Sequence, residues 1–331
     1  MQLICPAGNL PSLKAAIEHG ADAVYTGLRD TTNARHFPGL NLQENNLDKA
    51  RELTRSKGVR LLLAVNTYPQ AHNWSAWQRA VDVAADLQVD ALIAADLGVL
   101  DYAAQRHPQL PLHLSVQGSA TNYEALRFYK EQFGIRRAVL PRVLSLRQVE
   151  HVVQNSPVEI EVFGFGSLCV MVEGRCLLSS YASGQSPNTY GACSPAEHVE
   201  WRETASGMET RLGSVLIERY GKDEPASYPT ICKGSFQVSG KTYHAIEEPT
   251  SLNTLELLPE LLRMGVAAIK IEGRQRSPAY VAQVTQVWRQ AIDRAQRDPA
   301  AYQTTAEWNG ALAKVSEGSQ TTLGAYSRPW Q

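Results

Sequence analysis

The sequence predicts an α/β protein: a closed (β/α)8 barrel carrying a cysteine-bearing insertion between its seventh and eighth strands. Three observations predict it. A unit in which a helical stretch ends and a short apolar run follows recurs along the chain, at 20–27, 88–96, 134–142 and 265–274. The apolar runs of strand length number eight. The rhythm breaks once, between Gly166 and Ala267, far more chain than a βα crossover requires, and four of the five cysteines lie in that break.

The strands are expected at 2–6, 23–27, 60–66, 91–96, 112–117, 137–142, 159–165 and 267–273. Amphipathic stretches between them predict helices at 9–18, 46–57, 76–87, 98–106, 122–133, 145–154, 253–264 and 277–297. Pro11 suits a first helical turn, Ser277 and Pro278 read as a cap followed by proline, and Pro259 suggests a kink. Glycine after a helix supplies the left-handed cap that turns the chain back into a strand, as at Gly20, Gly134 and Gly265. Strands alternating with helices imply parallel units. Eight of them close a TIM-like barrel, with an open doubly wound sheet the runner-up. The organisation expected is therefore barrel strands one to seven over 1–166 and a cysteine-rich insertion over 167–250. Helix seven, strand eight and helix eight follow over 251–297, then a tail over 298–331 packed on the barrel.

Composition narrows the function. Thirty-two basic and 33 acidic residues leave a net charge of -1, which provides no footprint for nucleic acid or an anionic membrane. No apolar run approaches the length of a membrane span, and the N-terminus lacks the basic and apolar regions of a signal peptide. A cytoplasmic protein is expected, and in a reducing compartment clustered cysteines read as metal ligands or redox groups rather than disulfides.

Cys169, Cys176, Cys193 and Cys232 are spaced C-x6-C-x16-C-x38-C. Four thiolates suit tetrahedral zinc or an iron–sulfur cluster. Structural zinc prefers tight C-x2–4-C knuckles, and no pair here is that close; a cubane accepts ligands from separate loops. Gly174 and Gly191, near Cys176 and Cys193, would relieve crowding where backbone approaches sulfide. Iron–sulfur leads, with zinc and inert thiols as the alternatives. Cys5, on the first strand, reads as a small buried hydrophobe.

Strand alternation places side chains in the lumen. In strand eight Ile269 and Ile271 face the helices, so Lys270 and Glu272 point inward, with Arg274 at the rim. In strand seven Glu161 and Phe163 point inward. In strand five Leu112, Leu114 and Val116 face the helices, leaving His113, Ser115 and Gln117 inside. So polar a lumen implies either an internal ion-pair layer of Glu161, Lys270 and Glu272 or a functional site. Barrel sites lie at the C-terminal rim, where Asn33, Arg35, Asn66, Asp96, Gln117, Arg142, Arg274 and Arg276 fall. Arg142 and Arg274, with Arg35, are expected to line an anion pocket beneath the insertion, since arginine forks bind carboxylates. Asn66 and Gln117 are candidates for its polar contacts.

Residues 161–179, EVFGFGSLCVMVEGRCLLS, match E-x-F-x-x-G-[SA]-L-C-x4-G-x-C-x-L-S without a mismatch. The match resembles the signature of the collagenase-like peptidase family. It extends through CPAGN at 5–9, DAVYTG at 22–27, NAR at 33–35, SPNTYGACSPA at 186–196, CKG at 232–234, EEPTSLNTLELLPEL at 247–261 and KIEGRQRSPAYV at 270–281. Within that family the chain looks most like the branch serving oxygen-independent ubiquinone biosynthesis. The resemblance implies that Cys169, Cys176, Cys193 and Cys232 hold a [4Fe-4S] cluster. It implies an O2-independent hydroxylase component acting on the ubiquinone ring precursor with prephenate as oxygen donor, in a heterodimer with a UbiV-like paralogue. Two other readings stay open: a hydroxylase of RNA bases, against which the near-neutral charge counts, and a non-catalytic electron-transfer or scaffold subunit. Peptidase activity is not expected. The chain has no H-E-x-x-H, no G-x-S-x-G elbow and no histidine near Cys169 or Cys176 in sequence.

Overall fold

The protein is described by a computed structural model covering residues 1–328; the last three residues of the tail lie outside the described residues. The alternation of apolar runs and amphipathic helices is realised in order: β1 Gln2–Pro6, α1 Leu10–Glu18, β2 Ala23–Gly27, α2 Glu44–Ser56, β3 Arg60–Val65, α3 Trp74–Asp86, β4 Ala91–Ala94, α4 Leu97–Arg106, β5 Leu112–Leu114, α5 Tyr123–Phe133, β6 Arg137–Val139, α6 Leu146–Asn155 and β7 Glu159–Ser167. After the insertion come α9 Leu258–Met264, β14 Ala268–Ile271 and α10 Pro278–Arg297. All eight strands pair in parallel, each with its neighbour in sequence. β14 pairs with both β1 and β7, so the sheet closes into a barrel.

Period-two alternation separates two cores. Leu3, Val24, Leu61, Leu63, Leu92, Leu114, Ile160, Val162, Ile269 and Ile271 face outward and join the helices' apolar stripes around Trp77 and Trp288. Ile4, Tyr25, Leu62, Ala64, Ile93 and Ala268 fill the lumen on the β1–β4 side. The helices begin where capping chemistry stops the strands. Asn9, Asp96, Asn122, Ser145 and Ser277 each accept a backbone N–H of the first turn, and Ser145 forms a full capping box with Gln148. Asp96 therefore serves α4, not the rim.

Two expectations change. Strand five ends at Leu114, because Ser115 caps a 3-10 turn over Val116–Gly118; Val116 consequently turns toward the lumen-side cluster of Val139, Phe163, Leu168 and Leu252 rather than the helices. Pro259 starts α9 instead of kinking it, since the preceding residues Leu255–Leu257 form a separate 3-10 turn and a missing N–H costs nothing in a first helical turn. Gly20 closes α1 as expected: at φ +95° it follows His19, its N–H donating to the Ile17 carbonyl and that of Ala21 to the Ala16 carbonyl.

The segment between β7 and α9 has its own structure. Short helices α7 Leu178–Ser183 and α8 Pro187–Tyr190 precede a three-stranded antiparallel sheet of β8 Val199–Thr204, β9 Gly207–Leu212 and β10 Val215–Gly221. A hairpin follows, β11 Phe236–Val238 with β12 Lys241–Tyr243. β13 Ser251–Asn253 returns the chain to the barrel by pairing antiparallel with the end of β7. In the tail, α11 Ala306–Val315 packs Trp308 and Leu312 against the outer core. β15 Thr321–Thr322 pairs with β13, and Tyr326 packs beside Leu168 and Leu252. Among the described residues, no helix is long and apolar enough to cross a membrane.

Candidate functional site: a cysteine-walled cavity at the barrel mouth

The lower lumen on the β5–β7 side is charged, and its charges are paired. Lys270 Nζ donates to Glu161 Oε1 at 2.8 Å and lies 4.1 Å from the centre of the Tyr25 ring. Arg137 donates to Glu161 Oε2 at 3.4 Å and to Glu159 Oε2 at 2.5 Å. Burial alone would raise the Glu161 carboxyl, but Lys270 and then Arg137 outweigh it and hold it below the usual range. Burial pushes His113, in the same layer, down to about 4, so its ring is neutral. An ion-pair layer exists, with different membership from that expected: Arg137 is its third ion, and Glu272 belongs elsewhere. Arg137 is readable from sequence, because strand alternation sets it in register with inward Val139.

Glu272 lies higher, at the rim, with Arg35 Nε 3.4 Å from its Oε1. There the strand ends and the insertion enclose a cavity of about 130 Å3. Tyr25, Ile93, Phe163 and Lys270 form its barrel side, and Cys169, Cys176, Cys193 and Cys232 all line it. Arg35, Asn66, Gln117, Arg142 and Arg274 line it too, so the five candidate binding residues and the four thiols share one space.

The arginines are not free forks, however. Arg142 donates to Glu173 Oε1 at 2.7 Å and to the Ser167 carbonyl, and its guanidinium lies 4.3 Å from the centre of the Phe163 ring. Arg274 donates to Asn33 Oδ1 at 2.7 Å, to Asn41 Oδ1 and to the Ala34 carbonyl. Arg35, at 24% side-chain exposure, is the most accessible of the three; besides Glu272, its Nη1 approaches Cys193 Sγ at 3.8 Å. Asn66 is clamped, donating to Ser115 Oγ and accepting Ala34 N–H, both at 2.9 Å. Gln117 anchors a turn through its carbonyl, which accepts from Tyr68. The expected anion pocket is thus a wall of satisfied cations. Arg276 points away, 3.6 Å from Glu317.

Loops of the barrel hold the insertion by backbone fit. Gly174 has φ +90°, and a Cβ there would lie 2.0 Å from the Gln117 carbonyl oxygen; at Gly191, φ +80°, the obstacle is the Asn33 carbonyl at 2.6 Å. These glycines make room for barrel backbone. Arg35 N–H also donates to the Gly191 carbonyl at 2.6 Å.

The donor set can be tested against metal chemistry. Among the described residues, no three His, Cys, Asp or Glu side chains converge as on a single ion. The thiols instead stand around one cavity, with a charge on Cys193 felt by each of the other three. Four soft donors so dispersed, with Arg35 and Arg142 beside them, fit a polynuclear anionic cluster better than a lone zinc ion. Burial pushes the Cys169 and Cys232 thiols up to about 12 and raises Cys176 as well. That is the reverse of an activated cysteine nucleophile, whose thiolate must be stabilised. Cys5 is buried on the other side of the barrel wall, between β1 and α10, accepting from Thr285 Oγ1 at 3.3 Å, and is likewise pushed up to about 12 by burial.

The family model described as Peptidase family U32 matches residues 8–329. The tRNA hydroxylation protein P of Escherichia coli (strain K12) is 32% identical over 318 residues, covering 88% of this chain and 68% of that protein. The tRNA hydroxylation protein P1 of Bacillus subtilis (strain 168) is 28% identical over 321 residues, covering 97% and 70%. A protein named Collagenase from Porphyromonas gingivalis (strain ATCC BAA-308 / W83) is 30% identical over 325 residues, covering 95% and 70%.

Proposed function

From the premise that the chain belongs to peptidase family U32, we propose that it is the iron–sulfur component of an O2-independent hydroxylation. The observation that carries this reading is that Cys169, Cys176, Cys193 and Cys232 all line one cavity over the barrel mouth, where barrels place their chemistry. These residues would hold a [4Fe-4S] cluster, which supplies electron transfer when bound. The chain's own residues do the rest. Arg35 and Arg142 set positive charge beside the thiolates. The insertion covers the mouth and limits water. Phe163, Ile93 and Tyr25 offer a largely apolar wall to a ring.

The substrate in this reading is the ubiquinone ring precursor, with prephenate as oxygen donor, and the chain works in the cytoplasm with a UbiV-like paralogue as heterodimer. Support for the specific substrate is the resemblance of the 161–179 stretch and its companions to the ubiquinone branch. Support for hydroxylation as such comes from the relatives named for tRNA hydroxylation. Those same names favour a second reading, hydroxylation of an RNA base; the net charge of -1 weighs against it. The raised cysteine pKa values weigh against cysteine peptidase activity.

Anaerobic purification with the paralogue, iron and sulfide analysis, and electron paramagnetic resonance test the cofactor: stoichiometric zinc without iron overturns it. Quinone and tRNA-nucleoside profiles of a deletion strain grown without O2 separate the substrates. Loss of ubiquinone supports the first reading, and unchanged ubiquinone with a missing hydroxylated nucleoside supports the second.

A further inference from the structure

Buried polar atoms without a hydrogen bond gather on residues that line the cavity. Its cations are spent on protein partners, Arg35 on Glu272 Oε1 among them, whereas Glu173 Oε2, Gln117 Oε1 and the Ser179 hydroxyl are buried without a hydrogen bond, all on residues that line it. Glu173 is the most sharply defined, since a carboxylate has no amide-flip ambiguity. It lies between Cys169 and Cys176 at 5% exposure. Arg142 Nε holds its Oε1 at 2.7 Å, Ser119 Oγ donates to its carbonyl at 2.6 Å, and Gly174 beside it is wedged against the Gln117 carbonyl. One carboxylate oxygen is therefore fixed and the other left over. A buried anionic oxygen without a donor is costly. The wall around it is largely apolar: Ile93, Val116, Val139 and Phe163.

We propose that Glu173 is the specificity-determining acceptor of this cavity, its free oxygen taking a hydrogen bond from the hydroxyl of a phenolic ring lodged against the apolar wall. The inference deepens the hydroxylation reading and rests on it for the kind of ring bound. A site built with a buried acceptor rejects a ligand lacking the donor, because the acceptor then stays unpaired. Glu173→Gln keeps the shape and an oxygen for Arg142 but turns an –NH2 donor toward the ligand.

The test uses the full chain, reconstituted anaerobically with iron and sulfide, and two probes: 4-propylphenol and its methyl ether. The wild-type protein should bind the phenol about tenfold or more tightly than the ether, and Glu173→Gln should bring that ratio to about one. A wild-type ratio near one, or a variant that weakens both probes equally and keeps the ratio, overturns the inference. Should the variant fail to fold, the ultraviolet spectrum of wild-type-bound phenol decides. A red shift relative to free phenol, absent for the ether, reports the hydrogen bond, and no shift overturns the proposal. Iron and sulfide measured on the same samples keep the two ideas apart. Discrimination without a cluster preserves this inference and sinks the cofactor; a cluster without discrimination does the reverse.

Discussion

Glu161→Ala should be among the most damaging single changes in the barrel. It removes a carboxylate whose side chain is 1% exposed and leaves Lys270, at 7%, and Arg137, at 2%, without their shared counter-ion. Breaking a buried pair on one side typically costs about 3–5 kcal/mol, a large fraction of the ~5–15 kcal/mol available to a folded domain. Glu159 provides the internal control. It meets the same Arg137 at 2.5 Å, but its carboxylate is 59% exposed, so Glu159→Ala should cost no more than ~1 kcal/mol. Replacing Glu161→Leu together with Lys270→Met should recover the part of the loss that Lys270 causes, because that ion's desolvation penalty leaves with it, while Arg137 keeps only Glu159. Urea unfolding at neutral pH, followed by far-ultraviolet circular dichroism, measures all three. The pH dependence has a definite sign. Lys270 and Arg137 together outweigh burial and depress the folded pKa of Glu161, so its stabilisation is complete above the unfolded value of ~4.3. It is lost as pH falls through the folded value, and the gap between wild type and Glu161→Gln should close only at the acid end. If Glu161→Ala costs under ~1 kcal/mol, or Glu159→Ala costs as much, burial is not what makes this network count.

Other predictions concern the mouth. Serine at Cys169, Cys176, Cys193 or Cys232 should each abolish stoichiometric iron, whereas Cys5→Ser, on the helix-facing side of β1, should not; iron retained in all four mouth variants refutes the ligand set. Gly174→Ala should destabilise well beyond the ~1–2 kcal/mol of a left-handed backbone, because its Cβ meets the Gln117 carbonyl at 2.0 Å. Gly39→Ala, φ +80° with nothing within 4 Å, should cost only the strain; equal costs in thermal melts contradict the wedge. Arg35→Gln removes the cation 3.8 Å from Cys193 Sγ and should lower the reduction potential of a cluster held there. An unchanged potential in a redox titration rules out that influence.

How much of this was legible beforehand depends on periodicity. The eight strands announced themselves as apolar runs, and alternation correctly set Lys270, Glu161 and His113 inside, because a strand fixes side-chain direction every second residue. Where the strand stops, so does the rule: Val116 opens a 3-10 turn and swings to the other side of the expected pattern. The arginines at the rim were rightly gathered but wrongly imagined as free, since their partners Glu173, Asn41 and the Ala34 carbonyl come from loops with no period to read. Glu173 has no signature beyond its place between two cysteines. Strand 199–204 and the hairpin at 236–243 are mostly exposed and carry little apolar patterning, and helix 306–315 lay in a stretch read only as a tail.

The pairing of 321–322 with 251–252, and of 251–253 with the end of β7, has a consequence in time. Chains fold from the N-terminal side as they are made, and here the return leg of the insertion cannot be stitched on both sides until the tail has been synthesised. Lys233 and Glu317, which pair across 84 positions of chain, fasten last. The barrel is thus a vessel finished before its lid is sewn down, and whatever belongs under the lid has an interval during biogenesis in which to enter.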